Sequence, residues 1–271
     1  DKGADSKLIE IFEKWDLNCV KVGEVTDTSR LEVFHNNELV ADIPTEELVL
    51  GGGAPQYDMP FSEPQYFTTK NSLDTDSLSD NQDYNAVLLK ILSSPNIASK
   101  RFVYRQYDST VRTNSVQGPG GSAAVVRLKG TKKGLSISTD CNGRYVYLNP
   151  REGGSIAVAE SARNVVCSGA KPIAITNCLN FGNPQDPEIY WQFREAVLGI
   201  GDMCRALDTP VTGGNVSFYN EDGDKAVFPT PVIGMVGYME DLAHSTTISY
   251  STPGDYIVAL GSINGRLGGS E

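Results

Sequence analysis

Residues 153–176 read GGSIAVAESARNVVCSGAKPIAIT, and this one stretch holds a helix and a strand with no linker between them. The alanine-rich part predicts a helix that stops at Gly169, a residue suited to a left-handed C-terminal position because it has no Cβ. KPIAIT then reads as a strand. Working outward, residues 187–208 (PEIYWQFREAVLGIGDMCRALD) place Ile189, Trp191, Phe193, Ala196, Val197 and Ile200 at helical spacing. TPVT at 209–212 returns as a strand, Asp222-Gly223 marks a turn, and TPVIGMVGYM at 230–239 is a strongly apolar strand. Upstream, AAVVRLKG and GLSISTD are two strands joined by a Gly-Thr-Lys-Lys turn. The order β-β-α-β-α-β-β predicts an α+β fold, a mixed or antiparallel sheet with helices on one face.

Composition narrows the partners. The chain has 271 residues, with 23 basic against 34 acidic side chains and a net charge of -11. That balance argues against nucleic acid and against an anionic membrane, while leaving room for a local basic pocket that holds a small phosphate. No run of about 18 apolar residues is present for a membrane span, and DKGADSKLIEIFEKW lacks the pattern of a secretory signal. Cys19, Cys141, Cys167, Cys178 and Cys204 show no CxxC spacing, which favours a reduced, cytoplasmic protein over a disulfide framework or zinc site. The only histidines are His35 and His244, too few for a histidine-rich metal site.

Before the main body, residues 7–15 suggest a short amphipathic helix through Leu8, Ile9, Ile11, Phe12 and Trp15. CVKVGEV and RLEVFHNNELVADI alternate like strands, with Asn36-Asn37 as a hairpin turn and His35 beside it in a structural role. Residues 51–85 read as a linker that packs as it crosses a surface, through Tyr57, Phe61, Tyr66 and Phe67. AVLLKILSS and NIASKRFVYRQYD read as two helices leading into the main body. GDYIVALGSINGRLGGSE opens a further strand and glycine-rich loop and then stops, as a segment cut from something longer would.

Polar residues gather where the strands end. Asp140 and Asn142 follow GLSISTD, Asn177 and Asn180 follow KPIAIT, and Gly213, Gly214, Asn215 and Ser217 follow TPVT. Glycines let main-chain N–H groups approach phosphate, and amides and carboxylates offer oxygen to a hard cation. The same residue types also make ordinary turns. Both readings stand on the spacing alone, and no Walker A loop or dinucleotide fingerprint is present.

The runs TDCNGRYVYLNP, GGSIAVAESARNVVCSGAKPIAITNCLNFGNP, PEIYWQF, TPVTGGNVSFYN and PTPVIGMVGYMED closely resemble the phosphoribosylformylglycinamidine synthase family, densely from about 108 to 241. WDLNCVKVGEVTDTSRLEVFHNNELVADIP and GDYIVALGSINGRLGGSE resemble it too, so the likeness covers nearly the whole chain and only the middle of the family's protein. The resemblance implies an aminoimidazole ribonucleotide synthetase-like N-terminal-type domain at 86–241. It also implies the end of a first C-terminal-type domain at 1–50, a linker at 51–85, and the truncated start of a second C-terminal-type domain at 242–271. The implied reaction joins formylglycinamide ribonucleotide, ATP and ammonia into an amidine. Ammonia comes from a glutaminase subunit bridged by a small accessory protein.

Carried over residue by residue, the resemblance implies ATP contacts at Asn177 and Gly214, a Mg2+ ligand at Asn215 and a substrate contact at Ser217, with Asp140 as a further metal candidate. Two positions depart from the family pattern: Asn177 stands where many relatives have aspartate, and Ser122 in GPGGSAAVV stands where PG-x-D is usual. A neutral side chain attracts a divalent ion less strongly. The family's catalytic histidine belongs to the preceding half, neither His35 nor His244 matches its motif, and the chain alone is expected to be inactive. The alternative is a non-catalytic half that holds nucleotide and supplies interface. A related superfamily kinase or selenium-transfer enzyme fits TNCLNFGNP and GGNVSFYN less well. Sheet edges left open by absent domains suggest a homodimer.

Overall fold

The computed structural model describes residues 3–49, 57–69, 83–223, 225–250 and 252–261. The chain forms two compact units, Asp1–Asp58 and Met59–Glu271. The first contains helix α1 (Asp5–Glu13), strands β1 (Arg30–His35) and β2 (Glu38–Pro44), and a short 3-10 turn at Thr45–Leu48. The two strands form an antiparallel hairpin with His35 opposite Glu38. Asn36 and Asn37 turn the chain with φ of 49° and 66°, the left-handed pair that a tight hairpin demands and that asparagine tolerates best among residues with a side chain. CVKVGEV does not become a strand: Val20, Val22 and Val25 are exposed and no neighbour pairs with them among the described residues. Alternation alone does not satisfy backbone N–H and C=O groups; a partner must.

The second unit contains helices α2 (Gln65–Thr69), α3 (Tyr84–Ser93) and α4 (Arg101–Tyr104), then strands β3 (Ser115–Gln117), β4 (Ala124–Arg127) and β5 (Gly134–Asp140). Helices α5 (Gly143–Leu148) and α6 (Pro150–Cys167), strand β6 (Lys171–Asn180), helix α7 (Pro187–Leu207) and strand β7 (Val211–Ser217) follow. A small hairpin, β8 (Glu221–Asp222) and β9 (Lys225–Ala226), precedes strand β10 (Thr230–Met239). NIASKRFVYRQYD yields only the single turn of α4, which buries no residue. GDYIVAL forms no strand, and Tyr256, Ile257, Val258 and Leu260 are exposed. Residues 262–271, the glycine-rich loop of the sequence reading, lie outside the described residues, as do 51–56 and 70–82 of the linker.

Six strands build one mixed sheet in the order β3-β4-β5-β10-β6-β7. All neighbours are antiparallel except β6 and β7, which α7 joins as a parallel crossover. Helices α6 and α7 cover one face. β10 records this in its alternation, with Pro231, Ile233, Met235, Gly237 and Met239 buried and the intervening residues half-buried. The core fills with Val125, Val146, Val158, Val165, Ile175, Phe181, Ile233 and Met235.

β5 presents an inverted pattern to the helices. Its buried residues are Gly134, Ser136 and Ser138, while Leu135 is half-buried and Ile137 exposed on the other side. The small serines let α6 lie close, and each buried hydroxyl has a partner: Ser136 Oγ meets Ser168 Oγ at 2.6 Å, and Ser138 Oγ donates to Ser161 O at 3.0 Å. α6 starts three residues before GGSIAV, because Asn149 caps it through Glu152 N–H and Pro150 occupies its first turn. It ends at Cys167, and Gly169 just beyond it holds a φ of 96° where the His244 carbonyl would sit 2.2 Å from any Cβ.

Residues 59–69 strap the second unit. Tyr66 stacks on Tyr147 at 4.1 Å, its hydroxyl donates to Tyr147 O at 2.8 Å and accepts from Gln192 Nε2 at 3.0 Å, and Phe67 meets Trp191 edge-on at 5.1 Å. Burial pushes the Tyr66 phenol well above its usual value of 10.0. A raised folded-state value favours the protonated form, so its contribution is complete below the unfolded pKa and fades as pH climbs past it. Denaturant titrations should therefore show stability falling above about pH 10, and more steeply in the wild type than in Tyr66→Phe. At neutral pH that variant is expected to lose about 1 kcal/mol. Parallel pH profiles would remove the phenol as the cause.

Candidate functional site

β6 does not stop at Thr176, where its apolar run ends. It continues through Asn180, and β7 continues through Ser217, so Asn177, Asn180 and Gly213–Ser217 lie within strands instead of following them. Asn and Gly are poor strand formers, but β6 is paired on both sides, by β10 and β7, and the ladder holds it extended. A register shift after Ile175 brings Thr176 opposite Gly213, Asn177 opposite Gly214, Cys178 opposite Asn215 and Asn180 opposite Ser217. The four sequence-expected residues thus occupy three rungs of one parallel pair, with Asn177 and Gly214 on one face of the sheet and Asn215 and Ser217 on the other.

The two glycines answer different constraints. A Cβ on Gly214, whose φ is 155°, would sit 2.2 Å from Asn177 Oδ1 and 2.3 Å from Asn177 O, so the strands approach each other only because it is absent. A Cβ on Gly213 would meet nothing within 4 Å. Strand alternation places Asn177 on the helix-covered side with buried Ile175 and Leu179. Gly213, Asn215 and Ser217 share the uncovered side. Asn215 is exposed, and its side chain makes no hydrogen bond among the described residues.

Ser217 is half-buried and anchored. Asn220 Nδ2 donates to Ser217 O at 2.8 Å and to Phe181 O at 2.9 Å, and the Asn220 Oδ1 to Ser217 Oγ distance is 3.2 Å. Sequence reading missed Asn220; the available signal was an amide three residues beyond the serine at a strand exit. Behind this rung, Phe193 packs edge-on against Phe181 and Phe218 at 5.3 and 5.0 Å, so α7 fixes the ends of both strands.

The other polar strand-end residues serve the protein itself. Asp140 accepts from Ser161 Oγ and Asn164 Nδ2, both at 2.8 Å, which turns its carboxylate toward α6. Asn142 caps α5 through the N–H groups of Arg144 and Tyr145. Asn180 donates to the carbonyls of Cys178 and Thr230. Near them, Cys141, Asn142, Gly143, Arg144, Glu160, Phe228 and Thr230 line an open cleft of ≈ 480 Å³. Burial, with Asp140 beside it, holds the Glu160 carboxyl above the usual range. Burial, with Glu160 and Asp140 nearby, pushes the Cys141 thiol up to about 12, so it is protonated and unsuited to nucleophilic attack at neutral pH.

A second cleft, of ≈ 340 Å³, lies where the loop Gly118–Ser122 crosses Ile137 and Thr139 of β5. Among the described residues no group of three or more His, Cys, Asp or Glu side chains is placed to hold a metal ion. Any cation reached from the β6–β7 pair would take one neutral amide oxygen here, from Asn215, and must draw its negative charge from elsewhere. Mg2+ takes oxygen ligands and is commonly held by one or two carboxylates together with phosphates, so Asn215 would supply one oxygen of such a set and the carboxylates would have to come from other segments.

Residues 120–239 match the family model "AIR synthase related protein, N-terminal domain". Over its whole length the chain is 53% identical to the phosphoribosylformylglycinamidine synthase subunit PurL of Chlorobaculum tepidum, and it spans 36% of that protein. Among solved structures, T. maritima PurL complexed with ATP matches 90% of the chain and 37% of its own with a TM-score of 0.67 at 29% identity. The FGAR complex of the same protein matches 90% and 36%, with a TM-score of 0.64 at 28% identity. No described helix is long and apolar enough to cross a membrane. Residues 120–239 thus match an AIR synthase related N-terminal domain and carry most of the mixed sheet with its one-sided helices, in a chain that is similar to just over a third of a PurL subunit from end to end.

Proposed function

We propose that this chain is the central portion of an ATP-dependent phosphoribosylformylglycinamidine synthase, and that the β6–β7 pair forms one wall of its nucleotide and substrate site. The observation that carries the reading is the register: Asn177 opposite Gly214, with Asn215 and Ser217 next along the same strand. In this reading Asn215 offers its amide oxygen to Mg2+ and Ser217 touches formylglycinamide ribonucleotide on the uncovered face, while Asn177 and Gly214, on the opposite face of the same strand pair, contact ATP from that side. Mg2+ supplies charge neutralisation at the phosphates. Residues 1–50 then end one C-terminal-type domain, 51–85 connect, 86–241 form an N-terminal-type domain and 242–271 begin another. The complete enzyme takes ammonia from a glutaminase subunit through a small accessory subunit in the cytoplasm, and this chain alone makes no product.

Calorimetric titration of the 271-residue chain with Mg2+ and ADP, beside Asn215→Ala, tests the assignment. Binding should be saturable and weaken about 10- to 100-fold in the variant, the loss of one hydrogen bond or dipole contact to a charged group. Unchanged affinity would remove Asn215 from the metal, and no binding by the wild type would mean that this wall alone is no site.

A second reading, a half that retains nucleotide without turning it over, is favoured by the Asp140 carboxylate being committed to α6 and by neutral Asn177. ATP turnover in the complete protein separates the two: it falls in Asn215→Ala for a catalytic wall and persists for a retained nucleotide. A homodimer through the open edge of β7 belongs to the same proposal, and a monomer mass in sedimentation would dismiss it.

A further inference from the structure

We infer that Asn220 is a positioning residue that turns Ser217 into a hydrogen-bond acceptor for its ligand; the inference rests on the reading of Ser217 as a substrate contact. An asparagine amide has two N–H donors. In Asn220 both are taken by backbone carbonyls, Ser217 O at 2.8 Å and Phe181 O at 2.9 Å. The Nδ2 to Ser217 Oγ separation of 3.2 Å is longer than either, and no third hydrogen remains to fill it. The two carbonyls therefore fix which way the amide faces, with Oδ1 as the group that answers the serine hydroxyl, also at 3.2 Å.

An amide oxygen accepts only, so the Ser217 hydroxyl donates its hydrogen to Asn220 and keeps its lone pairs for whatever lies on the uncovered face. Ser217 shares that face with exposed Asn215 and the open space at Gly213. The geometry at the end of β7 is rigid for this purpose. Asn220 N–H donates to Phe181 O, Phe181 N–H donates to Ser217 O, and Tyr219 holds a φ of 60° that turns the chain back over the strand. The ligand group that meets Ser217 is consequently an N–H or O–H donor, such as an amide N–H or a sugar hydroxyl, and not a phosphate or carbonyl oxygen. This polarity distinguishes a substrate body from a substrate phosphate at the same place.

The test uses the complete synthase that contains this segment and reads KM for the ribonucleotide separately from kcat. Ser217→Ala should raise KM about tenfold, the usual loss for one hydrogen bond, with kcat changed far less. Asn220→Ala should raise KM by at least as much, and the double variant should be no worse than Asn220→Ala. Should Ser217→Ala leave KM unchanged, the substrate-contact reading itself fails. Should Ser217→Ala raise KM while Asn220→Ala does not, or should the two effects multiply, the contact stands and the positioning role is overturned. Ser217→Cys probes the polarity without touching Asn220: a thiol still donates weakly to Oδ1 but accepts poorly, so KM should rise as in Ser217→Ala, and a wild-type KM would overturn the acceptor role even where Asn220→Ala fails to fold.

Discussion

Gly199→Ala is expected to lower the thermal midpoint of this protein by about 4–8 °C, whereas Gly201→Ala, two residues along the same helix, should leave it unchanged or raise it. In α7 a Cβ on Gly199 would lie 1.9 Å from Arg151 O, 2.8 Å from Arg151 C and 3.1 Å from Arg151 Cα. All three are backbone atoms of α6, so no rotamer change relieves the contact. The neighbouring crossing is as tight, with Gly154 of α6 facing Ala196 O at 2.5 Å from its notional Cβ and Ser155 Oγ donating to Gly199 O at 2.9 Å. Admitting one methyl group means separating the helices and loosening Ala196, Ile200 and Val158 in the core. Overpacking of this kind costs about 3 kcal/mol, more than the ~1 kcal/mol that alanine gains over glycine in helix propensity. At Gly201 the nearest atom is Arg205 Nη1 at 3.3 Å, the mobile end of an exposed side chain, and propensity decides the sign. Differential scanning calorimetry of both variants checks this; equal midpoints would mean that α6 and α7 do not meet backbone to backbone.

The second large effect separates the adjacent glycines of β7. Gly214→Ala puts a Cβ within 2.3 Å of the Asn177 carbonyl, on a strand where φ is 155°, and should cost about 2–4 kcal/mol because β6 cannot yield without breaking its pairing to β10. Gly213→Ala adds a methyl to open space and should change stability by less than about 0.5 kcal/mol. If a nucleotide approaches the uncovered face, the same methyl should nonetheless weaken its binding. Denaturant midpoints and Mg-ADP titrations on the two variants give four numbers. A stable Gly214→Ala would contradict the close approach of β6 and β7, and a Gly213→Ala protein that binds like the wild type would move the ligand away from this rung.

Much of the fold was legible because local signals and burial agreed. The break at Gly169 followed by KPIAIT became α6 and β6, the spacing of Ile189, Phe193, Ala196 and Ile200 became the inward side of α7, and Asn36-Asn37 became the hairpin turn. The misreadings share one cause. CVKVGEV and GDYIVAL have strand composition with no strand paired to them among the described residues, and NIASKRFVYRQYD has helical composition but its one helical turn buries no residue. Conversely, TNCLN and VTGGNVS have poor strand composition and are strands, because neighbours on the sheet supply their hydrogen bonds.

At the candidate site the division is the same. Residue types and spacing singled out Asn177, Gly214, Asn215 and Ser217, since amides, glycine and hydroxyl next to apolar strands are recognisable in one dimension. They could not separate Asp140, Asn142 and Asn180, whose side chains hold α6, α5 and β10, from Asn215, whose side chain holds nothing in the described residues. By itself, then, the sequence determined the helix and strand periods, the α+β order and the polar residues gathered near the strand ends, because each depends on neighbours within a few positions. Tertiary structure alone decided the parallel register of β6 with β7, the inward serines of β5 and the commitment of the Asn220 amide to Phe181 O, because each depends on groups brought together from segments separated by a helix or by a turn of the sheet.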